Sequence, residues 1–189
     1  MKYATPLTYG FLGGMIMILL LTLAYIMNVK LLVSYGFMTC LYLPLIFLMI
    51  WGGIQFRKEV TKRKEIVPEE NVLGFPFILA LKGVFIISVV ATTMYDGFGF
   101  LLFSVIDPEL VTFMKAQTID TTREMMERFN TPEDKMKTAL AQIENTDYTP
   151  SLKSLLTRQA WSMAIGLLFS LIISAFVARS RETTSTDSQ

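Results

Sequence analysis

Histidine is absent from this chain of 189 residues, and cysteine occurs once. These two absences exclude histidine-based hydrolysis, cysteine/histidine zinc centres and an intramolecular disulfide. The single Cys40 lies inside an apolar stretch and reads as a small packing residue. Charge is scarce as well. Asp, Glu, Lys and Arg make up 17% of the chain, while 52% of it is hydrophobic; soluble domains carry roughly 25% charged residues. Seventeen basic and sixteen acidic groups nearly cancel, so no overall field draws the chain to nucleic acid. A P-loop, a Rossmann glycine pattern, HExxH and GxSxG are all missing, and no two carboxylates pair at a plausible site. The expectation is a non-enzyme with no cofactor and no bound metal.

What is present is long uncharged sequence. Residues 6–29, 31–56, 75–106 and 160–178 are almost free of charge. A hydrocarbon core of about 30 Å is crossed by about 20 apolar helical residues. With the fourth helix starting a little before its uncharged run, the expected spans are about 6–29, 31–56, 75–106 and 155–178. The first is too long for a signal-peptide core and has no clear cleavage site, so it is expected to stay as a transmembrane helix. The fold class is all-α: an integral membrane bundle of four transmembrane helices, with an extracytoplasmic helical hairpin inserted between the third and fourth. Residues 1–179 form one domain with the insert at 107–149, and the Ser/Thr-rich tail 180–189 is expected to be disordered.

Local signals refine this outline. Asn28-Val29-Lys30 is a tight connection between the first two helices. Pro44 should kink the second, and the charged run from Arg57 to Glu65 should end it. Pro68-Glu69-Glu70-Asn71 reads as a turn. The third segment would be about 48 Å of helix, so it must tilt, protrude or break near Asp96-Gly97-Phe98-Gly99. In the insert, Asp107-Pro108, Thr131-Pro132 and Thr149-Pro150 each place a capping side chain before a proline, opening helices at about 108–129 and 132–144 and then the fourth span. Both insert helices are amphipathic; Met136, Ala139, Leu140 and Ile143 line one face of the second. Glu124–Arg128 and Glu133–Lys137 are spaced for i, i+4 ion pairs.

Four spans put both termini on one side of the bilayer. That side also carries the loop 57–74, with five Lys/Arg in 18 residues, whereas 107–158 has seven basic and nine acidic residues in 52. The positive-inside rule makes the termini cytoplasmic and sends the insert to the other face. Trp51 and Trp161 fall near opposite interfaces.

Several features together carry a family resemblance. They are the glycine-bearing first helix (Tyr9-Gly10-Phe11-Leu12-Gly13-Gly14), the basic stop after the second, and the Phe77–Gly83 stretch with Ala80-Leu81-Lys82-x-Gly83. Ile106-Asp107-Pro108-Glu109 opening a charged helical insert and the final helix around Gly166–Ala175 complete the set. In this order the chain resembles the bacterial family catalogued as domain of unknown function 4199, over nearly its whole length apart from the tail. The resemblance implies a multi-pass protein of a bacterial cytoplasmic (inner) membrane, of a Bacteroidota-type lineage. It implies no activity, and it carries over no catalytic residues.

The candidate site residues are polar groups inside the spans. Lys82 and Asp96 are the ionisable side chains of the uncharged runs. If the third span enters near Pro76, Lys82 is about 9 Å in and can snorkel back, and Asp96 is about 30 Å along, near the far interface. They are about 21 Å apart and cannot pair within one helix. Against this interfacial reading stands a substrate- or proton-linked role, with Ser88, Thr92 and Tyr95 on a similar face. Ser162, Gly166, Ser170, Ser174 and Ala178 place small residues every four positions, and Gly10 and Gly14 form a shorter stripe. Such stripes serve either packing within the bundle or a homodimer face. Met114, Met125, Met126 and Met136 sit at core spacing and read as apolar filling rather than as thioether ligands for Cu(I). Beyond the lipid bilayer itself, two functional readings follow. The favoured one is a non-enzymatic accessory or scaffold subunit whose extracytoplasmic hairpin meets a protein partner. The other is a small-solute or ion carrier or channel acting as an oligomer.

Overall fold

A computed structural model describes residues 4–62 and 76–179. Lys2, the turn at 68–71 and the tail 180–189 lie outside the described residues. Among them, every regular element is helical. Helix α1 spans Ala4–Met27, and a short 3₁₀ turn at Val29–Val33 leads into α2, Tyr35–Lys62. Helix α3 spans Phe77–Leu101 and runs on through a π-helical turn at Leu102–Ile106. Then come α4 (Glu109–Arg128), α5 (Glu133–Asn145) and α6 (Leu152–Arg179). Four stretches are long and apolar enough to cross a membrane: Ala4–Met27, Thr39–Lys62, Phe77–Ile106 and Leu152–Arg179. This is a membrane protein by length and composition of its helices.

Helix α3 is the centre of the assembly. It packs against α1, α2 and α6; α2 also touches α1 and α6, while α1 and α6 do not meet among the described residues. Met17, Leu41, Phe56, Val84 and Ile87 are fully buried where these helices meet. Lipid tails are as apolar as leucine, so burial alone does not drive such helices together; close packing does. Gly10 shows how. A Cβ built there would lie 2.8 Å from the Cβ of Val90, so α1 and α3 approach this closely only because residue 10 has no side chain. Outward-facing apolar groups such as Ile26, Phe47, Leu168 and Phe176 stay exposed, as groups bathed in hydrocarbon would.

Several local expectations shift. Helix α2 continues past Phe56 through the charged residues to Lys62, and it passes through Pro44. Charge ends the apolar segment there but not the helix, because long charged side chains can reach the headgroups while the backbone bonds continue. Arg57 donates from Nη1 to the carbonyl of Val177 (2.8 Å), and Thr5 donates to the Glu59 carboxylate. Helix α3 is unbroken at Asp96–Gly99; the irregularity comes later, where the Asp107 amide donates to Leu102 O (2.9 Å) to close the π turn.

The helix starts of the insert also differ in detail. Neither α4 nor α5 has a side-chain cap. Asp107 accepts instead from the Tyr25 hydroxyl (3.0 Å), tying the end of α1 to the exit of α3. At α6 the cap is Ser151. Its Oγ accepts from the Ser154 amide (3.1 Å), and Ser154 Oγ accepts from the Ser151 amide (2.9 Å), a reciprocal capping box. Thr149 is turned back onto Asp147. The Glu133–Lys137 ion pair forms at 3.9 Å on an exposed face, and Arg123 pairs with Asp120. Helix α4 ends in a Schellman turn: Thr131 N donates to Met126 O (2.9 Å) and Asn130 N to Glu127 O (3.0 Å), with Asn130 left-handed at φ 49°. Helices α4 and α5 pack on each other, and Lys115 Nζ donates to Glu144 O (2.5 Å). Helix α4 also touches the 3₁₀ turn and the π turn, which puts this pair at the end of the bundle where α1 meets α2.

Candidate functional site

The polar residues of α3 fall on one stripe. Ser88, Thr92 and Asp96 are spaced i, i+4, i+8, and all three are buried, at 2%, 4% and 2% exposure. They face α6, whose own i, i+4 stripe runs Arg158, Ser162, Gly166, Ser170, Ser174. The two stripes meet antiparallel: Asp96 opposes Arg158 and Ser162, and Ser88 opposes Gly166.

An ion pair closes one end of this seam. Arg158 donates from Nε to Asp96 Oδ1 at 2.8 Å, and Ser162 Oγ donates to Oδ2 at 3.0 Å. A longer contact joins Arg158 Nη2 to the Asp96 carbonyl (3.4 Å). The guanidinium lies over the Tyr95 ring, 6.0 Å from its centroid, and Gln159 Nε2 donates to Thr93 Oγ1 (3.1 Å) one face away. Gly99 leaves room for Arg158: a Cβ there would stand 2.7 Å from Nη2. The pair is lopsided. The Asp96 side chain is 2% exposed and that of Arg158 is 45% exposed. Each carboxylate oxygen therefore has a partner inside the protein, while the accessible pole of the pair is positive.

The rest of the seam is tighter and drier. Thr92 satisfies its own hydroxyl by donating to Ser88 O (2.9 Å). A side chain at Gly166 would collide with the Ser88 hydroxyl, so this glycine sets the α3–α6 separation. Ser170 and Ser174 are fully buried, and their hydroxyls have no hydrogen-bond partner. Gly14 is likewise buried, its missing Cβ replaced by Met94 of α3. The stripe residues Gly10, Gly14, Gly166, Ser170 and Ser174 are thus covered within a single chain. Lys82 lies on the exposed surface of α3, away from this seam. The structure brings Ser88, Thr92, Tyr95, Asp96, Ser162 and Gly166 together and leaves Lys82 apart. Met114, Met126 and Met136 are half-buried on α4 and α5, and Met125 is 39% exposed.

Two cavities flank Arg158. The larger, about 490 Å³, opens between α2 and α6 with Ser88 and Thr92 of α3 among its lining. Leu45 and Met49 line it from α2, Trp161, Ile165 and Phe169 from α6, and Tyr42 and Arg158 are its bulkiest polar groups. The smaller, about 290 Å³, lies on the α4 side and is lined by Phe100, Phe103, Met114, Tyr148, Thr149, Ser154 and, again, Arg158. Asp147 also lines it. Hydrogen bonds from the Thr149 hydroxyl (2.6 Å) and amide (2.9 Å) hold the Asp147 carboxyl below its ordinary range, slight burial opposes this, and Lys115 adds to it.

Comparison with known families decides the identity. The family model described as "Protein of unknown function (DUF4199)" matches residues 8–179. The chain belongs to the DUF4199 family. Comparisons of this DUF4199 protein with curated proteins and with solved structures return no match.

Sequence reasoning about the DUF4199 chain missed Arg158, Thr93 and Gln159. Arg158 lies inside the expected span 155–178 but two residues before the charge-free run that begins at Ala160, and the candidate ionisable groups came from the charge-free runs alone. A usable signal was present: the small-residue stripe of α6, extended one step back from Ser162, lands on Arg158.

Proposed function

We propose that this is a non-enzymatic, multi-pass protein of the bacterial cytoplasmic membrane that binds a small ligand within the bilayer, as a carrier does. One observation carries the reading. The cavity of about 490 Å³ between α2 and α6 reaches the buried Ser88 and Thr92 and has Arg158, the partner of Asp96, among its walls. Its size falls within the range of about 300–1,000 Å³ typical of small-molecule sites. Ionisable groups within membrane-spanning helices are functional-site candidates, and here Arg158 and Asp96 each have their partner in the other. Basic-residue density supports cytoplasmic termini, with α4 and α5 as an extracytoplasmic hairpin. Reporter fusions at residues 65 and 140 test that sidedness.

The test of ligand binding is native mass spectrometry on chain purified from its own membrane. The expected result is a small adduct at one copy per chain, lost when Ile165→Trp fills the cavity. A wild-type chain that carries no adduct, or one retained by the filled variant, ends this reading.

A second reading has its own support. Phe129 is 77% exposed at the α4–α5 junction, with Met125 beside it on the last turn of α4. An accessory subunit would use such a point to meet a protein partner. Photocrosslinking from position 129 in native membranes tests it: a single discrete partner band supports the accessory role, and the absence of any removes it.

A further inference from the structure

We infer that the ligand is an anionic amphiphile whose acidic head is held by Arg158 while its apolar tail occupies the cavity between α2 and α6. This rests on the ligand-binding reading above and names the ligand's chemistry. Among the described residues Arg158 is the only charged one lining the 490 Å³ cavity, and the remaining walls are mostly aliphatic and aromatic. The same guanidinium lines the 290 Å³ cavity on the other side, where Tyr148, Thr149 and Ser154 supply hydroxyls and Asp147 a carboxylate, so an acidic head is favoured only on the α2–α6 side of Arg158. It therefore stands where an apolar space and a hydroxyl-bearing one share a wall. A molecule with a long apolar part and a polar end matches that division.

The sign of the head follows from the lopsided pair. Asp96 neutralises Arg158 formally, but its carboxylate is turned inward at 2% exposure and both its oxygens are engaged, by Arg158 Nε and Ser162 Oγ. Arg158 is 45% exposed. Its Nε and Nη2 serve Asp96, and its Nη1 makes no hydrogen bond among the described residues. Toward the 490 Å³ cavity the pair thus offers a charged donor and no carboxylate, which favours a carboxylate or a phosphate over an ammonium. Tyr95 beneath the ring and Gly99 beside it fix the guanidinium in place, so little freedom is lost when an anion docks.

The test uses full-length protein in lipid nanodiscs with photoactivatable C16 probes that differ only at the head: the free acid, its methyl ester, the primary amine and the lysophosphatidate. Saturable crosslinking is mapped by mass spectrometry. The acid is expected to label cavity residues of α2 and α6 at about tenfold lower concentration than the ester, the worth of one charge-assisted hydrogen bond, and the amine not at all. Acid and lysophosphatidate compared with each other tell a carboxylate source from a phosphate one. Arg158→Gln should bring acid and ester together. Because that variant leaves Asp96 unpaired and can misfold, Asp96→Asn/Arg158→Gln is made alongside it, and it should also lose the preference while keeping the ester site. Equal labelling by acid and ester in the wild type overturns the anionic head and leaves the binding site standing. An acid preference that survives in the double variant overturns the assignment to Arg158. No saturable labelling by any probe overturns both the inference and the ligand-binding reading beneath it.

Discussion

Arg158 Nε lies 2.8 Å from Asp96 Oδ1, yet the two side chains live in different surroundings, one almost half exposed and the other sealed. The cost of breaking this pair should therefore depend on which partner goes. Arg158→Met strands a buried carboxylate and should cost about 3–5 kcal/mol. Asp96→Asn leaves a cation that can reach toward the interface and should cost about 1 kcal/mol. Thermal unfolding in one detergent would compare them, and equal losses would refute the asymmetry.

Two glycines should respond in opposite ways to alanine. At Gly166 an added methyl meets the Ser88 hydroxyl, so Gly166→Ala should destabilise by about 1–3 kcal/mol as α6 is pushed off α3. Ser88→Ala in the same chain should recover part of that. At Gly97 nothing lies within 4 Å of the new Cβ. There Ala should stabilise by up to about 1 kcal/mol through helix propensity alone. Unfolding midpoints of the three variants decide the matter.

The α4–α5 turn depends on a left-handed Asn130. Asn130→Gly should be neutral or slightly stabilising. Asn130→Val should lose about 1–2 kcal/mol locally, because a β-branched residue resists this backbone conformation. Amide hydrogen exchange at Asn130 and Thr131, whose protons close the turn, should accelerate in the valine variant and not in the glycine one.

How much of this was legible from sequence depends on the kind of information involved. Span number and order followed from composition, because the bilayer imposes length and apolarity on any crossing helix. The same arithmetic gave an expected depth for Asp96, near an edge. Burial was not legible, since depth along the membrane normal and position among neighbouring helices are independent coordinates. Asp96, whatever its depth, is 2% exposed. Gly10, Gly14 and Gly166 announced close approach but not to which helix; that required the fold to set α3 between α1 and α6. The caps misled because hydroxyl and carboxylate groups had several partners in reach: Asp107 took Tyr25, and Thr149 took Asp147.

Asp147 gives a pH signature outside the membrane. Its folded pKa is depressed below the ordinary 3.8 by the Thr149 bonds. A depressed carboxylate contributes stability that is complete above its unfolded pKa and disappears as pH falls through the folded one. The turn before α6 should therefore hold through mildly acidic pH and loosen only below the usual aspartate range. Thr149→Val should return the Asp147 titration toward 3.8, as followed by carboxyl NMR.

Besides its packing along α3, helix α6 is tied by side-chain hydrogen bonds near both ends, by Arg158 to Asp96 near its start and by Arg57 to the Val177 carbonyl near its finish. Between them, on the side facing α2, lies the open space beside Ile165 and Phe169. A rod clamped at both ends does not swing; it bows. Widening of that space should appear as a larger spin-label distance between the exposed Phe47 and Leu168, with the distance between the exposed Lys58 and Phe176 unchanged. On the proposed ligand-binding reading, such a helix would act as a flexible stave, admitting or expelling a guest without letting go at either end.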